Sequence, residues 1–154
     1  MKISPSNINW FLIAKLPSAY LCGVRVKEIN SHSCTVRIRE SFLNKNPFNS
    51  IYFAAQSMAA ELSTGALVMK EIQQSGQEIS MLVTNCRMDF KKKAKGKIIF
   101  SCNQGAEVSA AIVAAIESKE GQILNLHSQG VNMQGDIVSE MVFEWSIKLK
   151  VSKR

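Results

Sequence analysis

A single charged side chain stands in the most apolar segment of the sequence. Between Ser50 and Met69 the chain is SIYFAAQSMAAELSTGALVM, and Glu61 is its only charged residue. The segment contains no proline and its apolar residues surround the helical axis, so we expect a buried helix. A carboxylate in such a helix must meet hydrogen-bond donors, reach water or take up a proton, because burial of an unpaired charge is costly. Glu61 is therefore the first candidate functional residue.

Small side chains flank Glu61 on the predicted helix and leave room for a ligand chain. They are Ser57, Thr64 and Val68 on the same stripe, with Ala54 and Gly65 beside it. The alternative is a solvent-facing or ion-paired glutamate, which is the usual state of this residue type in helices.

The net charge is +7, and the densest run of basic residues is Lys91, Lys92, Lys93, Lys95 and Lys97. A positive field attracts nucleic acid, anionic membrane surfaces and phosphorylated ligands alike. No aromatic residue alternates with these lysines, as single-strand binding would require, so we expect no nucleic-acid partner. A small phosphorylated ligand and a merely solvated turn both stay open.

The cysteines and histidines form no recognisable site. Cys22, Cys34, Cys86 and Cys102 are widely spaced without a CxxC pair, which predicts buried free thiols, no metal site and a cytoplasmic protein. His32 and His127 have no partner residues and are expected in strands or loops. The apolar run at positions 10–14 is too short for a signal-peptide core. The polar residues of the long helix argue against a membrane span.

The order of predicted elements favours an α+β fold in one domain, 1–154. Ser4 and Pro5 start a helix that Pro17 ends, and strands on either side of a turn at 30–33 follow. A long helix at 51–72, with Asn49 or Ser50 as its N-cap, precedes two strands. The remaining elements are strands at 79–91 and 97–102, a helix at 106–119, and strands at 123–131 and 137–151.

The segment NPFNSIYFAAQSMAAELSTGAL, which begins at Asn46, resembles the active-site signature of hot-dog thioesterases of the phenylacetyl-CoA type. That signature is roughly N-x-x-G-x-x-H-G-G, six residues, then D or E. Asn46 falls on its asparagine, Glu61 on its catalytic carboxylate, and Thr64 with Gly65 on the small pair that follows. KKKAKGKIIF and DIVSEMVFEWSIK resemble the family's turn between strands three and four and its last strand.

The resemblance implies an antiparallel six-stranded sheet wrapped round the long central helix. The N-terminal helix and the helix between strands four and five are additions to the simplest thioesterases, which indicates an uncharacterised branch of the superfamily. The chain departs from the signature where the family has Gly, His, Gly, Gly, since Asn49, Tyr52, Phe53 and Ala54 stand there.

The resemblance also implies hydrolysis of an acyl-CoA thioester. Glu61 would activate water as general base, in preference to attacking the carbonyl itself. Asn46 would orient the water or carbonyl, and the backbone N–H of Phe53 would act as oxyanion donor. Ser80 or Thr84 on the third strand would supply a supporting hydroxyl.

The same resemblance implies the remaining contacts and partners. Ser57, Thr64 and Gly65 would line the substrate site, and Lys92, Lys93 or Lys95 would meet the phosphates of coenzyme A, which enters with the substrate and not as a cofactor. The active form would be a homodimer or a dimer of dimers. The alternative hypothesis is a hot-dog protein that binds acyl-CoA or a fatty acyl group without hydrolysing it, as loss of the glycines favours.

Overall fold

The computed structural model describes residues 3–150. Its helices are α1 Pro5–Lys15, α2 Pro17–Leu21, α3 Phe53–Ser75 and α4 Gly105–Ser118. Its strands are β1 Arg25–Ile29, β2 Cys34–Arg39, β3 Ile79–Phe90, β4 Lys97–Cys102, β5 Gln122–Asn132 and β6 Ile137–Leu149.

The six strands form one sheet in the order β1-β2-β4-β5-β6-β3, and every neighbouring pair is antiparallel. Helix α3 packs against β1, β2, β4, β5 and β6, so its apolar surface is buried by the curved sheet. The predicted α+β architecture with a long helix held by a six-stranded antiparallel sheet is thereby confirmed.

Helix α1 begins as the sequence predicts. Ser4 is its N-cap and its Oγ accepts a hydrogen bond from the Asn7 N–H at 3.3 Å, while Pro5 occupies the first turn. Pro17 ends α1, and it also starts the short helix α2, which the pattern did not predict.

Helix α3 begins later than predicted, at Phe53, with Tyr52 as its N-cap. The prediction of Asn49 or Ser50 as the cap is wrong because Asn46 organises the preceding loop instead. Its Oδ1 accepts hydrogen bonds from the N–H groups of Phe48 and Ser50 and from the Ser50 hydroxyl. Asn49 takes a left-handed backbone conformation there, with φ of 56°.

Strand β3 is one edge of the sheet, because it pairs only with β6 in the strand order. Its residues alternate, with Ile79, Met81 and Val83 packed towards the core and Ser80 and Thr84 exposed on the opposite side. A bulge between Val83 and Asn85 shifts this alternation for the second half of the strand.

Two of the four cysteines are buried as predicted. Cys34 and Cys102 lie opposite each other on β2 and β4, and desolvation raises the pKa of Cys34 to about 12 and that of Cys102 to about 11. Cys22 is half-buried, and Cys86 is exposed because it lies on the edge strand β3. All four, which lie within residues 3–150, are free thiols.

Within residues 3–150, no helix has both the length and the hydrophobicity needed to cross a bilayer.

Candidate functional site

Glu61 lies at the side of a cavity of about 480 Å³ between α3, β3 and β6. The cavity is lined mainly by apolar side chains from these three elements: Phe53, Ala54, Ser57, Met58, Met88 and Phe143. Helical spacing places Ala54, Ser57, Met58 and Glu61 on one face of α3. The result is an apolar groove with a single acidic group.

The Glu61 carboxylate has no hydrogen-bond or ion-pair partner among the described residues. Desolvation by the surrounding apolar groups raises the pKa of this carboxyl. Burial without a compensating donor is unfavourable for stability, and a perturbed acid in a cleft is typical of functional sites. The carboxylate is therefore available to water or a ligand.

Contacts behind Glu61 fix its position on the helix. The Thr64 hydroxyl donates to the Glu61 carbonyl oxygen at 2.8 Å and accepts from the Trp145 indole N–H at 3.1 Å. A Cβ on Gly65 would lie 3.1 Å from the Trp145 ring and 3.3 Å from Glu61 Oε1. Thr64 and Gly65 are thus packed against β6 behind the carboxylate, and neither lines the groove.

A second cavity, of about 560 Å³, adjoins the first at Phe53, which lines both. Its walls come from the loop before α3 and the segment after β3, and include Asn46, Tyr52, Phe90, Lys92 and Lys93. The Phe53 ring packs edge-on against Phe90, with centroids 6.2 Å apart. The two cavities therefore run from the lysines to Glu61, with Phe53 between them.

The N-terminus of α3 opens onto this junction. Tyr52, its N-cap, makes no side-chain hydrogen bond to the first turn, and the Phe53 N–H has no hydrogen-bond acceptor among the described residues. Uncapped N–H groups at a helix N-terminus, together with the helix dipole, favour an anion or a polarised carbonyl.

Asn46 lies in the second cavity, separate from Glu61. Its carbonyl oxygen already accepts three hydrogen bonds from the loop, so only its amide NH₂ is left for a ligand. The structure thus suits Asn46 to donate to a ligand oxygen and not to accept from a water.

The lysines of the predicted phosphate site differ in their surroundings. Lys91 pairs with Glu140 at 3.5 Å and Lys92 with Asp136 at 2.9 Å, and the Lys92 contact helps to hold the pKa of Asp136 below its usual range. Among the described residues, the Lys93 ammonium contacts only the Phe48 carbonyl oxygen, at 3.4 Å, and forms no ion pair. Lys95 is exposed and does not line the cavity, so Lys93 is the cation best placed for an incoming phosphate.

Ser80 and Thr84 are not brought to the groove. Both lie on the opposite side of β3 from its core-facing residues, where Ser80 donates to the Lys148 carbonyl and Thr84 donates to Glu144 Oε1 at 2.7 Å. Strand alternation separates them from Glu61. Ser57 does line the Glu61 cavity; its hydroxyl donates to the Phe53 carbonyl oxygen at 2.8 Å and lies 3.1 Å from the Met88 sulfur.

Several lining residues were missed in the sequence. Met58, Met88, Phe90 and Phe143 give the groove its apolar walls, yet each was interpreted as an ordinary helix or strand residue. Met58 was identifiable in principle, because it lies three positions before Glu61 on the same helix face. The others depend on how β3 and β6 meet α3, which no local pattern specifies.

His127 is exposed on β5 and His32 lies in the turn before β2, as expected. Among residues 3–150, no group of three or more His, Cys, Asp or Glu side chains is arranged to hold a metal ion. His127 lines a further polar cavity on the outer side of the sheet, where Arg87 pairs with Asp89.

The comparisons with known proteins agree with this architecture. The family model described as Domain of unknown function (DUF4442) matches residues 6–147. A comparison with curated proteins finds no match.

Solved structures share the fold over nearly the whole chain. A Pseudomonas aeruginosa protein of unknown function, described as a probable thioesterase, has a TM-score of 0.80 at 21% identity over 96% of this chain and 97% of its own. A thioesterase from Haemophilus influenzae has a TM-score of 0.72 at 10% identity, over 100% and 97%. The Escherichia coli PaaI protein from the phenylacetic acid degradation operon has a TM-score of 0.64 at 11% identity, over 92% and 96%. The predicted hot-dog fold is confirmed by these structures, and the chain belongs to the DUF4442 family, whose function is unknown.

Proposed function

We propose that this protein hydrolyses an acyl-CoA thioester, with Glu61 as the general base that activates water. The observation that carries the proposal is a half-buried carboxylate of raised pKa, without a partner among the described residues, on the wall of an apolar groove. A raised pKa makes the carboxylate a stronger base, because basicity that approaches the working pH favours proton transfer. Water attack on the thioester carbonyl would release the thiol and the acid.

The groove matches the two ends of such a substrate. The apolar cavity beside Glu61 suits the acyl group, and the cavity lined by Lys93 suits the phosphates of coenzyme A. The N-terminus of α3 lies between the two, where the Phe53 N–H would stabilise the oxyanion and the Asn46 amide would donate to a ligand oxygen.

The spacing of Phe53 and Glu61 supports a homodimer. Eight residues separate them, which at 1.5 Å per residue is about 12 Å along the helix. A base and an oxyanion donor must each lie about 3 Å from the same reacting centre. In the proposed enzyme the Phe53 N–H of one copy and Glu61 of a second copy therefore act on one thioester. The free edge of β3 forms the dimer interface of this proposed enzyme.

A thiol-release assay over acyl-CoA substrates of increasing chain length tests the proposal. Wild-type protein should release coenzyme A from at least one chain length, and Glu61→Gln should lower that turnover about 10²-fold or more. Glu117→Gln, an exposed glutamate on α4, is the matched control and should retain wild-type turnover. Absence of turnover over the whole panel would refute the hydrolase.

The second candidate function is binding of acyl-CoA or a fatty acyl group without hydrolysis. The Phe53 side chain favours it, because this ring stands where thioesterases of the phenylacetyl-CoA type have a glycine that permits close approach to the helix N-terminus. Phe53→Gly separates the two functions. If the wild-type protein only binds its ligand because the ring blocks catalysis, Phe53→Gly should raise turnover. If the wild-type protein is a hydrolase, Phe53→Gly should lower substrate affinity without raising turnover.

A further inference from the structure

Three arginines share the outer face of the sheet at the β1 and β2 edge. Arg37 and Arg39 alternate with Val36 and Ile38, which are buried, and Arg25 lies directly opposite Arg37. On the next strand Lys97 lies opposite Arg39. Like charges directly opposite each other are unfavourable in a sheet, so an anion bound at this face would stabilise the arrangement.

Within residues 3–150, one acidic side chain, Glu40, lies beside these arginines. No salt bridge involves any of the three arginines, and Arg37 Nε is buried without a hydrogen-bond acceptor. Glu40 is engaged through its Oε2, which accepts the Gly96 N–H at 2.9 Å, so a single carboxylate faces three guanidinium groups. A buried guanidinium donor without an acceptor is rare in folded proteins, so the chain does not fully compensate the positive charge of this face.

The arginines line a preformed cavity of about 380 Å³, which we call the arginine pocket. Arg25 is held in place, since it donates to the carbonyl oxygens of Tyr20 and Val24 and stacks 3.5 Å from the Tyr20 ring centroid. Asn44 fixes the facing loop, because its buried amide donates to the carbonyl oxygens of Cys22 and Arg39. The pocket is thus built of rigid parts.

Exposed apolar side chains surround the arginine pocket. Leu21, Phe42 and Leu43 line it, yet they are 62%, 84% and 63% exposed. The Lys45 ammonium adds a further cation beside this rim, 5.7 Å from the centre of the Phe42 ring. A soluble phosphate would not require such a rim, whereas a lipid surface offers both an anionic headgroup and an apolar layer.

We propose that the arginine pocket binds the phosphate group of an anionic phospholipid and docks the protein on a membrane surface. Arg25, Arg37 and Arg39 contact the headgroup, and Leu21, Phe42 and Leu43 enter the boundary between headgroups and acyl chains. None of these residues lines the cavities beside Glu61 and Lys93, so the docking stands independently of the proposed hydrolysis.

Co-sedimentation with vesicles of phosphatidylcholine, with and without phosphatidylglycerol, tests the docking. Wild-type protein should bind the anionic vesicles and not the neutral ones. Each arginine at an anionic surface contributes roughly fivefold in affinity, so Arg37→Gln combined with Arg39→Gln should weaken binding about 25-fold. Phe42→Ser combined with Leu43→Ser should also weaken it at unchanged net charge.

The charge-matched control is Lys148→Gln combined with Lys150→Gln, both exposed and outside the pocket. This control should retain most of the vesicle binding. If it loses as much affinity as the arginine variant, the arginine pocket is not the binding site and general charge attraction explains the binding. Circular dichroism checks folding, and Arg39→Gln alone, at an exposed position, provides a milder variant. If inorganic phosphate raises the melting temperature through the arginines while anionic vesicles do not bind, the pocket serves a soluble phosphate and the membrane proposal is wrong.

Discussion

The carboxylate of Glu61 is held where its charged form is disfavoured. Its pKa is raised by desolvation, so the folded protein binds this proton more tightly than the unfolded chain. The stabilising contribution of the protonated form is present below the unfolded value of about 4.3 and is lost as the pH rises through the folded-state pKa. At neutral pH the ionised carboxylate therefore costs stability.

Replacement of Glu61 by Gln should raise the melting temperature at neutral pH, because the amide carries no charge to desolvate. The gain should shrink as the pH falls through the raised pKa of Glu61 and be smallest below the ordinary glutamate value, where wild-type Glu61 is protonated in both the folded and the unfolded state. Thermal unfolding of both proteins across this pH range checks the prediction, with Glu117→Gln as control. A variant less stable than wild type at neutral pH would show that Glu61 has a stabilising partner.

The pH dependence of turnover should follow the same group. A general base must be ionised, so kcat should fall as the pH drops through the raised pKa of Glu61, at a higher pH than an ordinary glutamate would give. The acidic limb of the kcat profile measures this. A profile that stays flat down to the ordinary value would mean that another group is the base.

The apolar surroundings of Glu61 could be predicted from sequence, because one charge on a long apolar helix is visible without a structure. The surroundings of the other candidate residues could not be predicted in this way. The hydroxyls of Ser80 and Thr84 were assigned from their strand alone, and the face of that strand decides where they point. The carbonyl oxygen of Asn46 is occupied by its own loop, which residue type does not show.

At the scale of elements, a buried hydrogen bond joins α3 to β6. The Trp145 indole N–H donates to Thr64 Oγ1 directly behind Glu61. Thr64→Val should destabilise the protein by about 1–3 kcal/mol, because it leaves a buried donor without an acceptor. Trp145→Phe removes the donor of the same bond. The double variant with Thr64→Val should therefore lose less unfolding free energy than the sum of the two single variants. Additive losses in denaturant unfolding would show that the bond is not coupled.

The elements themselves were mostly predictable, since alternation defines the strands and apolar content defines α3. The start of α3 was not. Ser50 and Asn49 have the residue types of N-caps, but the hydrogen bonds to Asn46 and the pairing of the Ile51 N–H with the Ala94 carbonyl oxygen hold this stretch extended until Tyr52. The bond between Ile51 and Ala94 joins segments more than forty residues apart, so no local pattern could predict it.

At the scale of the whole molecule, we expect the free edge of β3 to form the interface of the proposed homodimer. Leu82 on this strand is 64% exposed, and Leu82→Glu would place like charges of two copies close together on a shared sheet. We expect it to shift sedimentation from dimer to monomer and to lower turnover. Ile123→Glu, at a position 59% exposed on the interior strand β5, is the matched control. A monomeric wild-type protein with full activity would contradict the shared site.

The most direct test of the account is the separate measurement of kcat and of ligand affinity for Glu61→Gln with the best acyl-CoA substrate. The account predicts that kcat falls about 10²- to 10⁴-fold while the dissociation constant of a non-hydrolysable acyl-CoA thioether stays near the wild-type value. Undiminished kcat in Glu61→Gln would contradict the assignment of Glu61 as the general base.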